Sequence, residues 1–171
     1  MARILIIGNA GGGKSVLARK IAKKRGLPYR EIDTIVWKAG WEAFSQQDYE
    51  AAHEKLIAEE NWVLDGLGWT ESLPARFERA TEIILIDMPL WMHFWLAAER
   101  QIQWALGKLE HPVAGVAEMP STRGMFEALW ETDRDMMPEI RRLTDLAERS
   151  GKPVTRIASV EELDAYAAAL S

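Results

Sequence analysis

The chain has 171 residues, of which 48% are hydrophobic, and it carries a formal net charge of −5. This length suits one domain with a substantial core, and we expect residues 1–171 to form a single domain. The absence of cysteine excludes disulfides, thiolate metal ligands and a cysteine nucleophile. The acidic balance argues against a dedicated nucleic-acid binder, which would need many Lys and Arg contacts to phosphates. With no signal-peptide pattern and no membrane-length apolar run, the sequence predicts a cytoplasmic protein without a membrane partner.

The first predicted strand, residues 3–7, leads into a glycine-rich segment. Gly8, four further residues and then Gly13-Lys14-Ser15 match the phosphate-binding P-loop, and a helical pattern follows as that motif requires. The alternative is a glycine-rich turn, which would not need a Lys-Ser pair at this spacing. We therefore predict an ATP and Mg²⁺ site in which Lys14 bridges the β- and γ-phosphates and Ser15 binds the metal. The predicted nucleotide-binding residues are Gly8, Asn9, Ala10, Gly11, Gly12, Gly13, Lys14, Ser15 and Val16.

The first helix is predicted over residues 14–25, with Gly26 as its left-handed stop. Its second half is strongly basic, with Arg19, Lys20, Lys23, Lys24 and Arg25. Cations at a helix C-terminus meet the negative end of the helix dipole, so we prefer this interpretation to a DNA-binding patch.

A short strand over residues 29–32 places Asp33 at its carboxyl end, the edge of an open parallel sheet where ligands bind. Residues 34–44 lack a sustained period and predict a loop or a short helical excursion, which contains Trp37 and Trp41. Ser45 with Asp48 then predicts the start of a helix that continues to residue 60. On this helix we expect His53 at the boundary of the core, because no second ligand stands at metal-binding spacing.

A third strand, residues 61–64, ends in Asp65-Gly66. An acid after a hydrophobic strand is the expected partner of a P-loop and holds Mg²⁺ directly or through water; the alternative is an aspartate that only starts a turn. After a short helix over residues 72–79, the fourth strand, residues 82–86, places Asp87 at the same edge. Asp87 is the weaker magnesium candidate.

Residues 90–106 predict a helix rich in aromatic residues, with Arg100 as its one arginine and His93 at the core boundary. Glycine and proline between residues 107 and 121 indicate a loop, and we assign a lid to approximately residues 90–135. The helical pattern resumes near Thr122, and Pro138 should kink or divide it near Met136. A fifth strand over 152–157 and a helix over 160–170 complete an α/β doubly wound parallel sheet.

Several of these segments together resemble the adenylate-kinase-related P-loop proteins known as topology-modulation proteins. The resemblance covers roughly residues 1–105. It is carried by Gly8 to Ser15, Ile32-Asp33 with Trp37 and Gly40-Trp41, residues 62–66 and residues 86–89. It implies a nucleoside-monophosphate-kinase-like P-loop NTPase fold with five parallel strands in the order 2-3-1-4-5 and a mobile helical lid. The chain departs from adenylate kinases in that Leu67-Gly68-Trp69, rather than proline and arginine, follows Asp65-Gly66. This departure and the few lid arginines argue against adenylate kinase activity.

These observations predict a small-molecule kinase that uses Mg·ATP, with Lys14, Asp33 and Arg100 as catalytic residues. In P-loop kinases that look similar, an acid at the end of the second strand contacts the acceptor hydroxyl as a base, the role we give Asp33. Asp33, Trp37, Trp41 and Trp69 would line the acceptor site, and Ser15 and Asp65 would hold the metal. Arg100 would close over the phosphates from the lid, with Arg123 and Arg134 as further candidates for this role. The alternative is a nucleotide-dependent binding or regulatory protein, which could be DNA-associated.

Overall fold

The computed structural model describes residues 1–38, 42–108 and 121–170, and in these ranges strands alternate with helices along the chain. The strands are β1 (Arg3–Gly8), β2 (Tyr29–Glu31), β3 (Trp62–Asp65), β4 (Glu82–Ile86) and β5 (Val154–Ile157). The helices are α1 (Lys14–Arg25), α2 (Asp33–Val36), α3 (Gln46–Ala58), α4 (Leu73–Arg79), α5 (Leu90–Ala105), α6 (Thr122–Glu131), α7 (Met137–Arg149) and α8 (Val160–Ala169). A 3₁₀ turn, Thr70–Ser72, precedes α4.

The described strands form one parallel sheet in the order β2-β3-β1-β4-β5. This confirms the predicted doubly wound sheet and the strand order that the family resemblance implies. In the register, Ile6 of β1 lies beside Asp65 of β3, and Gly8 of β1 lies beside Ile86 of β4. The carboxyl ends of the three central strands therefore meet at one edge, which is where an open parallel sheet binds its ligands.

Both faces of the sheet are buried, which explains why its central strands are apolar at successive positions. On one face, Leu5 and Ile7 of β1 pack in a cluster with residues of α3, α4 and α7. On the other face, Ile4 and Ile6 pack against α1, with α5 and α8 covering the edges of the cluster. The two layers of helices fix the positions from which side chains reach the ligand edge.

The helix ends follow the predicted signals closely. Ser45 caps α3 by accepting a hydrogen bond from the Asp48 N–H at 3.2 Å, and Ser159 caps α8 in the same way from Glu162 at 3.1 Å. Gly26 ends α1 with φ 63°, a left-handed conformation that suits glycine.

The second strand is shorter than predicted: it stops at Glu31, because Asp33 already begins α2. The predicted division of the helical stretch near Met136 is confirmed, because a π-helical segment, Thr132–Met136, separates α6 from α7. Pro138 lies in the first turn of α7, where no hydrogen bond from its nitrogen is needed.

The predicted lid is described only in part, because residues 109–120 of the predicted loop lie outside the described residues. The described part of the lid consists of α5, α6 and the π-helical segment. None of the helices that the structure describes is both long and apolar enough to cross a membrane.

Candidate active site

The P-loop leaves the sheet at Gly8 and ends where α1 begins at Lys14. A Cβ atom at Gly8 would lie 2.1 Å from the carbonyl oxygen of Ile86, so only glycine lets the loop pass this strand end. Gly11 and Gly13 have φ of 74° and 77°, which are also glycine conformations. The backbone therefore curves in front of the α1 N-terminus, whose free N–H groups and positive dipole end attract a phosphate chain.

Asn9 attaches this loop to α6, a helix of the predicted lid. Its side chain is 1% exposed, its Nδ2 donates to the carbonyl of Leu129 on α6 at 2.9 Å, and its Oδ1 accepts from the Ala10 N–H at 2.8 Å. Val16, by contrast, is half exposed on the first turn of α1. The Asn9 side chain is thus occupied within the protein, and the loop backbone is the part that faces a ligand.

Lys14 is buried with its ammonium group folded onto the loop. Its Nζ donates to the carbonyl of Asn9 at 2.7 Å. Burial lowers the pKa of Lys14, while the charges of Asp65 and Asp33 raise it. The ammonium therefore lies between the loop and two carboxylates, in the position from which a P-loop lysine meets the terminal phosphates.

Asp65, at the end of β3, is 1% exposed. Its Oδ1 accepts a hydrogen bond from the Tyr29 hydroxyl at 3.1 Å, whereas its Oδ2 is buried without a partner in the part of the chain that the structure describes. Burial raises the pKa of the Asp65 carboxyl, and the Ser15 hydroxyl and Lys14 ammonium act in the opposite direction. A buried carboxylate oxygen without a partner is costly unless a ligand completes it.

This arrangement fits the magnesium ion that accompanies ATP. No group of three or more acidic or histidine side chains is placed to hold a metal alone, at least among residues 1–38, 42–108 and 121–170. Mg²⁺ with a nucleotide does not need such a group, because it takes phosphate oxygens, water and one or two protein oxygens. Ser15 and the free oxygen of Asp65 are the protein groups that could provide them.

Asp33 lies next to these residues, at the start of α2. A Cβ atom on Gly66 would be 3.4 Å from Asp33 Oδ1, so this carboxylate packs against the turn that follows β3. Burial raises the pKa of Asp33, and this effect outweighs the nearby cations Lys14, Arg100 and Arg76, which favour the ionised form. The three predicted residues Lys14, Asp33 and Asp65 therefore converge at one sheet edge.

Arg76 of α4 stabilises the turn after β3, and it was not among the residues predicted from the sequence. Its guanidinium is fully buried and donates to the carbonyls of Gly66, at 2.9 Å, and Leu67. Burial lowers the pKa of Arg76 to about 10. The buried face of α4 contains Leu73, Arg76 and Phe77. An arginine within an apolar helical stripe is the sequence signal that could have indicated a buried Arg76.

The three arginines predicted to act from the lid differ in their partners. Arg100 on α5 is half-buried and interacts electrostatically with both Lys14 and Asp33. Arg123 is exposed and paired with Glu127 at 2.7 Å, and Arg134 is exposed and paired with Asp135. Of these three predicted candidates, Arg100 is the one whose charge acts on Lys14 and Asp33.

The predicted tryptophan wall is brought together only in part. Trp69 is half-buried and stacks on the Tyr49 ring with a centroid distance of 4.8 Å beside the turn that contacts Asp33. Trp37 ends α2, is 37% exposed and forms an isolated bridge with Ala43. Trp41 lies outside the described residues.

Asp87, the weaker magnesium candidate, is engaged elsewhere. Arg141 of α7 donates to both of its carboxylate oxygens, with distances of 2.8 to 3.1 Å. The carboxylate therefore serves an ion pair that fastens α7 to the end of β4.

Both histidines predicted at the core boundary are in fact buried. His53 is 5% exposed, since it stacks on Tyr49 under the turn after β3. His93 is 1% exposed and its Nδ1 lies 2.8 Å from the carbonyl oxygen of Ala10 in the P-loop. Local periodicity could not reveal this for His93, because it contacts the P-loop, a segment 83 residues away in the sequence.

No protein-family model and no curated protein sequence matches the chain. Among solved structures, a kinase-like protein from Chloroflexus aurantiacus is 14% identical, with a TM-score of 0.50 over 99% of this chain and 96% of its own. A gluconokinase from Sinorhizobium meliloti is 16% identical, with a TM-score of 0.44 over 86% of this chain and 94% of its own. A sugar kinase from a Janibacter species is 15% identical, with a TM-score of 0.43 over 82% and 98%.

At these identities the likeness concerns the fold alone. It supports a P-loop kinase fold for this chain, in agreement with the sheet order and the glycine-rich loop. The closer resemblance to topology-modulation proteins stays a prediction, because none of these three structures is described as a member of that family.

Proposed function

We propose that this protein is an ATP-dependent kinase that transfers the γ-phosphoryl group of ATP to a hydroxyl group of a small molecule. The observation that carries the proposal is the convergence of Lys14, Asp65 and Asp33 at the carboxyl edge of the sheet. A P-loop alone would serve any nucleotide-binding protein. A half-buried acid on α2, beside the P-loop lysine but outside the loop, is what a phosphoryl acceptor needs in addition.

The nucleotide side of the site is built from the loop amides, Lys14, Ser15 and Asp65. When bound, Mg²⁺ neutralises charge on the phosphates and helps to align them. Lys14 would leave its present contact with the Asn9 carbonyl and donate to phosphate oxygens. Ser15 and the unpartnered oxygen of Asp65 would hold the metal.

On the acceptor side, Asp33 would accept the proton of the attacking hydroxyl. The acceptor oxygen forms a bond to the γ-phosphorus, the bond from that phosphorus to the bridging oxygen breaks, and ADP leaves. A pKa raised by burial makes the Asp33 carboxylate a stronger base than an exposed aspartate. Arg100 would stabilise the negative charge of the phosphoryl group during transfer.

The groups beside Asp33 support a small polar acceptor. Trp69 offers an aromatic surface and Asp33 a hydrogen-bond acceptor. A hydroxylated metabolite such as a sugar, a sugar acid or a nucleoside presents the hydroxyl groups that this set could bind. We propose this class and a cytoplasmic location for the protein.

The experiment that tests the proposal is a screen for ATP-dependent phosphorylation with purified protein. Nucleosides, nucleoside monophosphates, sugars, sugar acids and short hydroxylated metabolites are offered with Mg·ATP, and ADP release and a phosphorylated product are measured. We expect one class to give a product that is lost in Asp33→Asn. A protein that binds ATP and phosphorylates none of these compounds would contradict the kinase proposal.

One observation favours a second candidate function, in which the protein binds a partner in a nucleotide-dependent way. Trp91 and Trp95 on α5 are 64% and 62% exposed, and a groove of about 370 Å³ lies beside Phe94, Phe126 and Trp130. Exposed aromatic surface of this kind often recruits a partner. The two functions are distinguished by turnover, because a binding protein would hold ATP without phosphorylating an acceptor.

A further inference from the structure

His93 is placed directly beneath the P-loop by helix α5. Its side chain is 1% exposed, and its Nδ1 lies 2.8 Å from the carbonyl oxygen of Ala10. Since a carbonyl oxygen only accepts, Nδ1 must carry a proton and donate it. The neutral Nδ1–H tautomer satisfies this bond, and burial lowers the pKa of His93 and so favours a neutral ring.

The contact with the loop extends beyond this hydrogen bond. A Cβ atom on Gly12 would lie 3.0 Å from Cε1 of His93, and one on Gly11 would lie 3.2 Å from the main-chain oxygen of His93. Ala97, one turn further along α5, is 3.6 Å from the same Gly11 position. The glycine part of the loop therefore rests on one face of α5.

The same face of α5 reaches the catalytic groups. His93, Ala97 and Arg100 are spaced by four and three residues, which places them along one side of a helix. His93 contacts the P-loop, and Arg100 interacts with Lys14 and Asp33. A hydrogen bond at one end of this face thus fixes the loop relative to the helix that carries the arginine.

We propose that His93 is a positioning residue that holds the P-loop in its phosphate-accepting shape before a nucleotide arrives. This inference rests on the proposed function, since it assumes that the loop binds the phosphates of ATP. Loop amides that point to a ligand leave their carbonyls pointing outward, and the outward carbonyl of Ala10 is the one that His93 binds.

The physical reason lies in the flexibility of glycine. Gly11, Gly12 and Gly13 lose more conformational freedom on ordering than any other residues would. When the preceding carbonyl is anchored by a hydrogen bond, part of the cost of ordering the loop is met during folding rather than during ligand binding. The loss of His93 should therefore weaken nucleotide binding more than it slows the chemical step.

Three substitutions separate a hydrogen-bonding role from packing. His93→Ala removes both the ring and the donor. His93→Asn keeps an N–H close to the position of Nδ1, whereas His93→Gln places its N–H close to the position of Nε2. His53→Ala is the matched control, because it removes another buried histidine, which lies on the opposite face of the sheet.

The dissociation constant of Mg·ADP is measured by calorimetry, and amide hydrogen exchange over residues 8–15 is measured in the ligand-free protein. We expect His93→Ala and His93→Gln to raise the dissociation constant about tenfold, the scale of one lost hydrogen bond, and to speed exchange in the loop. His93→Asn should stay within about threefold of the parent, which is less than such a bond contributes. His53→Ala should change neither quantity.

Equal behaviour of His93→Asn and His93→Gln would overturn the proposal, because a packing role does not depend on the donor position. Unchanged affinity and loop exchange in His93→Ala would overturn it as well. If His93→Ala does not fold, the contrast between the Asn and Gln variants still distinguishes a hydrogen-bonding role from a packing role. If the parent protein does not bind Mg·ADP, the proposed function fails, while the exchange measurement still tests the anchor itself.

Discussion

The carboxyl ends of β3 and β4 each present an aspartate to the same edge of the sheet, but the surroundings of the two carboxylates are opposite. Asp65 is buried, has one oxygen without a partner in the described part of the chain, and lies beside Lys14 and Ser15. Asp87 has a quarter of its side chain exposed and receives hydrogen bonds on both oxygens from Arg141.

The difference comes from which helix covers each strand end. The N-terminus of α1 brings a lysine and a hydroxyl to Asp65, whereas α7 brings an arginine to Asp87. A carboxylate that is fully used by an arginine fork has a structural role. A carboxylate that is buried with a free oxygen carries an unfavourable free energy of burial, which a bound ligand could offset.

The largest effect is expected from Lys14→Ala, which removes the cation on the Asp65 side of this comparison. Phosphoryl transfer should fall on the order of 10³-fold, since a buried charge that stabilises the phosphates is lost. The rate is measured with saturating acceptor and a range of ATP concentrations. Lys20→Ala is the control, because it removes the same charge from an exposed position on the same helix. Equal rates in the two variants would contradict a role for the P-loop.

The next effect concerns Asp33, the third carboxylate at the edge. Asp33→Asn keeps the shape of the side chain but removes its charge and basicity, so transfer should fall on the order of 10²-fold or more. Calorimetry should show ATP affinity within a few-fold of the parent, because the acid faces the acceptor. If the variant transfers phosphate at the parental rate, Asp33 has only a structural role at the start of α2.

A matched pair of variants tests the comparison itself. Asp65→Asn should lower the transfer rate at least about tenfold at low Mg²⁺, and added Mg²⁺ should restore part of it, as expected of a group in the metal shell. Asp87→Asn should leave the rate within about threefold and lower the free energy of unfolding by roughly 1 kcal/mol or less, since its ion pair with Arg141 is partly exposed. The measurements are magnesium titrations of the rate and urea unfolding. A magnesium-dependent defect in Asp87→Asn alone would reverse the assignment of the two strand ends.

Much of this fold could be predicted because its signals are local. An apolar run that ends in glycine, a capping serine or a Gly-Lys-Ser sequence lies within a few residues of the structure it forms. The same holds for Asp33 and Asp65, because a strand that ends at an acid delivers it to the sheet edge whatever else surrounds it.

The interactions that distinguish the two strand ends are distant in sequence and could not be read in this way. Arg141 stands 54 residues from Asp87, and His93 stands 83 residues from Ala10. Tyr29 binds Asp65 across a separation of 36 residues. Periodicity could place each side chain on an element but not identify the partner that covers it, so both histidines were expected at the boundary of the core.

The contrast between the two aspartates has a counterpart among the cations, and it leads to an expected effect on stability rather than on the rate of transfer. Arg141 forms an ion pair with Asp87. Arg76 instead donates its hydrogen bonds, among the described residues, to uncharged groups: main-chain carbonyls and the Ser72 hydroxyl. Burial, and secondarily the charge of Arg76, lower the pKa of nearby His53 to about 4, from an ordinary value of 6.5.

This shift makes stability depend on pH in a defined direction. Between pH 6.5 and about 4 the unfolded chain protonates His53 while the folded chain does not, so protons favour the unfolded state and stability falls as the pH falls. The contribution of this one residue is on the order of 1–3 kcal/mol across that window.

His53→Phe keeps a ring to stack on Tyr49 and removes the titration. We expect its free energy of unfolding, measured in urea at several pH values, to fall less steeply below pH 6.5 than that of the parent. The carboxylates and His93 are common to both proteins, so their contributions cancel in the difference between the two curves. Parallel curves would contradict the lowered pKa of His53 in the folded protein.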